Sequence, residues 1–181
     1  MKISLTKIGT TTHWLIVLCL SVAVSHCKIF QKTESTAPPP SKPSTTREST
    51  FRKEIVSYAA GFKGSKYTPA GKKPETGFDC SGFTSYVFQH FDISLSPAAR
   101  EQVKQGVEKD IRRAQPGDLI FFRRSANEPI FHVSLVKSNN GKDLVVIHST
   151  TSRGVIEEDV LNSTYWKQYI DSVRDVVSEK F

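Results

Sequence analysis

The chain has 181 residues, enough for one ordinary domain with its own core. A hydrophobic fraction of 38% with 11 phenylalanines fits a globular protein and excludes a disordered one. The formal net charge is +7; residues 1–27 and 28–50 each carry +2 of it, and the remainder carries +3. Such diffuse basicity suits an anionic surface, phospholipid or wall polymer, and lacks the dense stripe that marks nucleic-acid binding.

Residues 1–27 read as an export segment. Lys2 and Lys7 form a basic start, and Trp14 to Ser25 form a short apolar run. Twelve residues are too few to span a bilayer as a helix. Cys27 follows this run directly and resembles the lipid-bearing cysteine of a bacterial lipoprotein, although His26 stands where that pattern prefers Gly or Ala. The competing reading is simple cleavage after Ser25, and an unlipidated Cys27 could then pair with Cys80. Residues 28–50 read as a tether, rich in Ser, Thr and Pro and without apolar period. A single folded domain is expected over 51–181.

Phe51 to Phe62 predicts a helix capped by Ser49 or Thr50 and ended at Gly61. Residues 64–77 read as a loop. In Gly77-Phe78-Asp79-Cys80-Ser81-Gly82-Phe83-Thr84-Ser85-Tyr86-Val87-Phe88, Asp79 is a good N-cap, and Phe83, Val87 and Phe88 fall on one helical face. The helix should therefore start beside Cys80 and end near His90 or Phe91. A thiol in a first turn meets the positive end of the helix dipole, which favours thiolate. Leu95 to Gly106 predicts another helix, with Pro97 in its first turn.

The period changes after the Pro116-Gly117-Asp118 turn. Leu119 to Phe122, Phe131 to Val136 and Leu144 to Ile147 read as strands, the last two joined at Asn139-Asn140-Gly141. Val155-Ile156 and Tyr169 to Val177 can add more. Helices followed by an antiparallel sheet define an α+β class.

Cys80 needs a base. His13 and His26 belong to the export segment, and His90 is about 15 Å along the helix from Cys80. His132 opens one strand and His148 closes the next, so an antiparallel hairpin makes them cross-strand neighbours. One could orient the other's ring, giving a nucleophile, a base and an orienter. A zinc site is the competing reading, but the three residues lack a close-spaced ligand pair and a fourth ligand.

The ordered set GFDCSGFTSYVF, QPGDLIFF, HVSLV and VIHS resembles the NlpC/p-sixty family of bacterial cell-wall cysteine peptidases, over about residues 51–178. The resemblance implies a papain-like fold, with Cys80 as nucleophile, His132 as general base and His148 as orienting residue. It implies that Tyr67 polarises the scissile carbonyl and that Asp79 and Ser81 contact the stem peptide; for Asp79 a plain N-cap role reads equally well. Two departures touch the cleft wall: Thr68-Pro69-Ala70-Gly71 replaces a Trp-Gly-Gly-like segment, and Arg100 is displaced from the family arginine. The expected activity is hydrolysis of the D-glutamyl–diamino acid bond of peptidoglycan, with no cofactor or metal, by an envelope lipoprotein facing the periplasm or wall. Its partners are then a muropeptide and, through the lipid, a membrane; a monomer is expected. The alternatives are an N-acetylmuramoyl-L-alanine amidase and a non-catalytic envelope-binding lipoprotein.

Overall fold

The structure is a computed structural model and describes residues 46–181. The export segment, Cys27 and most of the tether lie outside the described residues.

Helix α1 spans Thr46–Ala60 and buries Arg52, Ile55 and Ala59, spaced to share one face. It begins inside the stretch read as tether, ahead of the expected start at Phe51. Two side-chain bonds account for the extra turn. Arg52 Nε donates to Glu48 Oε1 at 2.8 Å, and the Thr50 hydroxyl returns to the Thr46 carbonyl at 3.0 Å instead of capping. The stretch read as a loop, residues 64–77, carries a small antiparallel ribbon of β1 (Lys72–Lys73) with β2 (Gly77–Phe78). Helix α2, Cys80–Gln89, starts and stops where the sequence places it.

The helix expected over Leu95–Gly106 shrinks to one turn, α3 (Ala99–Gln102). Here the glutamines serve the loop instead of a longer helix. Gln102, fully buried, donates to the carbonyls of Ser81 and Ser96 and accepts from Thr84 Oγ1. Gln105 bonds both the Ser94 carbonyl and the Ser96 amide. The chain then turns at Gly106, with φ of 68°, into β3 (Val107–Lys109), a strand the sequence reading lacks.

Strands β4 (Leu119–Phe122), β5 (His132–Asn139), β6 (Leu144–Thr150), β7 (Gly154–Asp159) and β8 (Ile170–Asp175) complete a six-stranded sheet in the order β3-β8-β4-β5-β6-β7. Every pairing in it is antiparallel. Gly141, with φ of 84°, turns β5 into β6 at the predicted Asn-Asn-Gly.

Both faces of the sheet are covered, so Leu119, Ile120, Phe121 and Phe122 are all fully buried. On one face Leu119, Phe121, Val133, Leu135 and Ile147 pack with Ile55 of α1 and Phe83, Val87 and Phe88 of α2. On the other, Ile120, Phe122, Val136 and Val146 pack with Trp166 and Val160 from the segment between β7 and β8. An uninterrupted apolar run is what a strand covered on both sides requires.

Arg52 ties α1 to the sheet. Its guanidinium bonds Asp118 at 2.8 Å and Asp175 at 2.7 Å, and Lys109 Nζ reaches the same two carboxylates at 2.9 and 3.0 Å. Arg52 and both aspartates are almost wholly buried. Removing the arginine leaves two buried carboxylates sharing one lysine. Arg52→Ala is therefore expected to cost about 3–5 kcal/mol of unfolding free energy. Urea denaturation at neutral pH checks it; a loss under ~1 kcal/mol would mean the cluster is not a staple.

Candidate active site

Cys80 is the first residue of α2. Asp79 has extended backbone (φ −86°, ψ 179°), and its Oδ1 accepts the Gly82 amide at 2.6 Å. The loop closes on this turn so tightly that a Cβ on Gly82 would lie 2.0 Å from the Gly71 carbonyl oxygen. The start of the helix is thus fixed from two sides, and the Cys80 thiol is set near the backbone amide of Val133, the residue after His132.

The electrostatic outcome departs from the dipole expectation. Burial pushes the Cys80 thiol up to about 11, and Asp79 adds to it, against the pull of the Val133, Ser81 and Cys80 amides. Desolvation of the sulfur outweighs the helix terminus. The same burial drives the imidazoles the other way. His132 is held well below the ordinary histidine value by burial and by His148. His148 falls to about 4 through burial and Arg153, with Glu158 opposing. At neutral pH thiol and imidazoles are all uncharged.

His132 and His148 meet as the hairpin predicts. His132 Nε2 lies 3.0 Å from His148 Nδ1, with the rings at 73°. Continued from Leu135 opposite Ile147, the register makes them a diagonal pair on one face of the sheet. Trp166 stacks on His132 at 4.5 Å and 29°. His90, set aside from the sequence, caps α2 and stacks on Tyr58 at 3.9 Å.

Tyr67, Cys80 and His132 line one cleft of about 590 Å³, together with Arg124, Phe131, Glu158, Tyr165 and Trp166. His148 lies behind His132 and is fully buried. The Tyr67 hydroxyl is pushed above the ordinary tyrosine value by burial, then by Cys80 and Asp79, so it keeps its proton at neutral pH. Asp79 and Ser81 do not line the cleft. The Ser81 hydroxyl sits 2.9 Å from the Pro97 carbonyl and 3.2 Å from Asp79 Oδ1, tying the turn to the α3 loop. Arg100, 71% exposed, pairs loosely with Glu101 and is not a cleft residue.

The sequence reading missed Glu158, Trp166 and Arg124. Glu158 Oε2 lies 3.5 Å from His148 Nε2 and accepts the Trp166 indole N–H at 3.1 Å. Only pairing of β7 with β6 brings Glu158 there, and Glu157-Glu158 carries no mark in the sequence telling which carboxylate faces inward. Trp166 lies in an irregular segment without period. Arg124 sits over the Phe131 ring at 4.3 Å, a pairing set by the turn before β5.

A helix-borne thiol at the end of an antiparallel sheet that presents two bonded imidazoles defines the papain-like α+β class. The model of the NlpC/P60 family matches residues 64–175. The gamma-DL-glutamyl hydrolase of Bacillus subtilis is 32% identical over 127 residues, which are 69% of this chain and 30% of that protein. The probable endopeptidase NlpC of Escherichia coli is 32% identical over 99 residues, 54% of this chain and 61% of the relative. Among solved structures, a Staphylococcus aureus protein described as similar to lipoprotein, NLP/P60 family, is 29% identical with a TM-score of 0.62, covering 78% of this chain and 45% of its own. The chain belongs to the NlpC/P60 family. It spans less than two thirds of the length of the two curated relatives.

The raised thiol has a direct consequence. Iodoacetamide labelling of Cys80 should be slow at pH 7 and still climbing above pH 9, following thiolate formation toward about 11. Peptide mass spectrometry of the Cys80 fragment reads the rate; a plateau below pH 8 would show a thiolate already formed at rest.

Proposed function

We propose that the chain is an exported cysteine endopeptidase of peptidoglycan stem peptides, cutting between D-glutamate and the diamino acid. The observation that carries it is the Cys80 thiol sharing a cleft with His132, whose ring is bonded to a second histidine. Likeness to a gamma-DL-glutamyl hydrolase of Bacillus subtilis supports a cut beside a glutamyl residue, and likeness to a probable endopeptidase of Escherichia coli supports peptide hydrolysis more broadly. Cys27 as lipid anchor and residues 28–45, ahead of α1, as tether complete the proposal, holding the domain at the periplasmic or wall side of a membrane.

The chemistry starts from a neutral pair. His132 Nε2 is engaged by His148, which leaves Nδ1 to take the thiol proton. As the proton moves, Sγ bonds to the carbonyl carbon and negative charge passes to the oxygen. The Cys80 amide and the Tyr67 hydroxyl are the donors for that oxygen. The imidazolium then protonates the departing amine, leaving a thioester. Water, deprotonated by His132, releases the acid. Asp79 Oδ1 is committed to the cap and Asp79 stands outside the cleft, so its carboxylate is assigned to holding the turn and given no substrate contact in this reading.

Stem peptides carry carboxylates, and the cleft has a cation for one. The exposed Arg124 guanidinium lies over Phe131 without a carboxylate partner among the described residues. Arg100 is outside the cleft, so Arg124 takes the part of the displaced arginine in this reading.

A digest of purified peptidoglycan read by mass spectrometry tests the reaction. Wild-type protein should release fragments cut after D-glutamate, and Cys80→Ala should release none while keeping its fold. Loss of whole stem peptides would move the assignment to an amidase, and equal fragments from both proteins would end the nucleophile assignment. On a soluble muropeptide, Arg124→Gln should raise KM about fivefold with kcat nearly unchanged, the loss of one exposed charge-assisted bond of about 1 kcal/mol. An unchanged KM would remove Arg124 from the binding site.

A further inference from the structure

We propose that Glu158 is a positioning residue that sets the tautomers of both histidines, so that His132 presents an unprotonated Nδ1 to the Cys80 thiol. The inference rests on the reading of Cys80 and His132 as nucleophile and base.

A neutral imidazole carries one N–H, so the bond between His132 Nε2 and His148 Nδ1 can be made in two ways. In the first, His132 Nε2–H donates to His148 Nδ1. His132 Nδ1 is then a lone pair, and His148 carries its proton on Nε2. In the second, His148 Nδ1–H donates to His132 Nε2. His132 then carries its proton on Nδ1 and cannot accept another from the thiol. The two arrangements differ by one proton shift on each ring, and only the first gives a base.

What separates them is the environment of His148 Nε2. This nitrogen is buried and has no hydrogen-bond partner of good geometry among the described residues. The polar atom facing it is Glu158 Oε2, 3.5 Å away. In the first arrangement an N–H dipole points at a carboxylate. In the second a lone pair points at that carboxylate, with no donor between them. At a fully buried ring nitrogen this electrostatic difference makes the first preferred.

Glu158 is itself held. Its Oε2 accepts Trp166 Nε1 at 3.1 Å and Arg153 Nη2 at 2.5 Å. Trp166 stacks on His132, so the carboxylate also fixes the wall against which the base rests. The geometry comes from three adjacent strands. His132 on β5, His148 on β6 and Glu158 on β7 form a diagonal row on the face that packs Trp166. The charged and titratable groups around His148 are His132, Glu158 and Arg153; around His132 they are Cys80 and His148.

Two-bond proton–nitrogen spectra of the uniformly ¹⁵N-labelled full-length protein report the tautomers without any substrate. At pH 7 the wild type should show both His132 and His148 protonated on Nε2. Glu158→Ala should shift both rings toward Nδ1–H. Glu158→Gln keeps a carbonyl acceptor without the charge and should keep part of the wild-type pattern. In parallel, kcat on a muropeptide should fall about 10- to 100-fold in Glu158→Ala with little change in KM, and less in Glu158→Gln. Wild-type His148 protonated on Nδ1, or a Glu158→Ala protein with unshifted tautomers or undiminished kcat, overturns the proposal. If Glu158→Ala does not fold, Glu158→Gln decides it by the same readouts. An enzyme inactive on every muropeptide defeats the proposed function, while the tautomer spectra still decide the role of Glu158.

Discussion

The seating of α2 on the sheet is the contact on which the rest depends. Phe83, Val87 and Phe88 are fully buried against Val133, Leu135 and Ile147. Each such side chain contributes about 1.5–3 kcal/mol when taken from water. Their spacing leaves one rotation of the helix that buries all three. That rotation, with the Asp79 cap and the close approach of Gly82 to the Gly71 carbonyl, sets Cys80 against the start of β5. The thiol is placed by a packing requirement, and its chemistry follows from where packing puts it.

Burial then acts on the site twice. It raises the thiol and lowers the imidazoles, so the resting pair is uncharged. A charged thiolate–imidazolium pair is not stored at rest. In the proposed reaction it forms when a carbonyl arrives to take the negative charge onward, with the Cys80 amide and the Tyr67 hydroxyl as the proposed donors. The contrast with Arg52 is instructive. There burial is matched by three salt-bridge partners, and the charges persist as a structural tie between α1, the turn before β4, and β8. Where charges are well paired, the interior keeps them; where they are not, it holds the groups neutral.

Much of the architecture is legible in short-range patterns. The α2 boundaries follow from the Asp79 cap and the apolar face, and β4 matches Leu119 to Phe122. The meeting of His132 and His148 follows from the turn at Gly141 and antiparallel pairing. The misses have one origin. The long helix expected after Leu95 fails because Gln102 and Gln105 satisfy loop carbonyls that are distant in sequence. Strand β3 escapes because three residues acquire strand geometry only by pairing with β8. Helix α1 extends upstream because Arg52 and Glu48 join one turn apart while Arg52 also reaches Asp118 and Asp175.

The sequence by itself determined the thiol at a helix start, the two histidines on neighbouring strands and the α+β class, because capping, turn chemistry and periodicity act over a few residues. The tertiary structure alone decided which carboxylate faces His148, which aromatic ring supports His132 and that the thiol is raised. Those outcomes depend on strand register across β6 and β7 and on how completely water is excluded. Both are sums over contacts between residues far apart in the chain, and no local pattern encodes them.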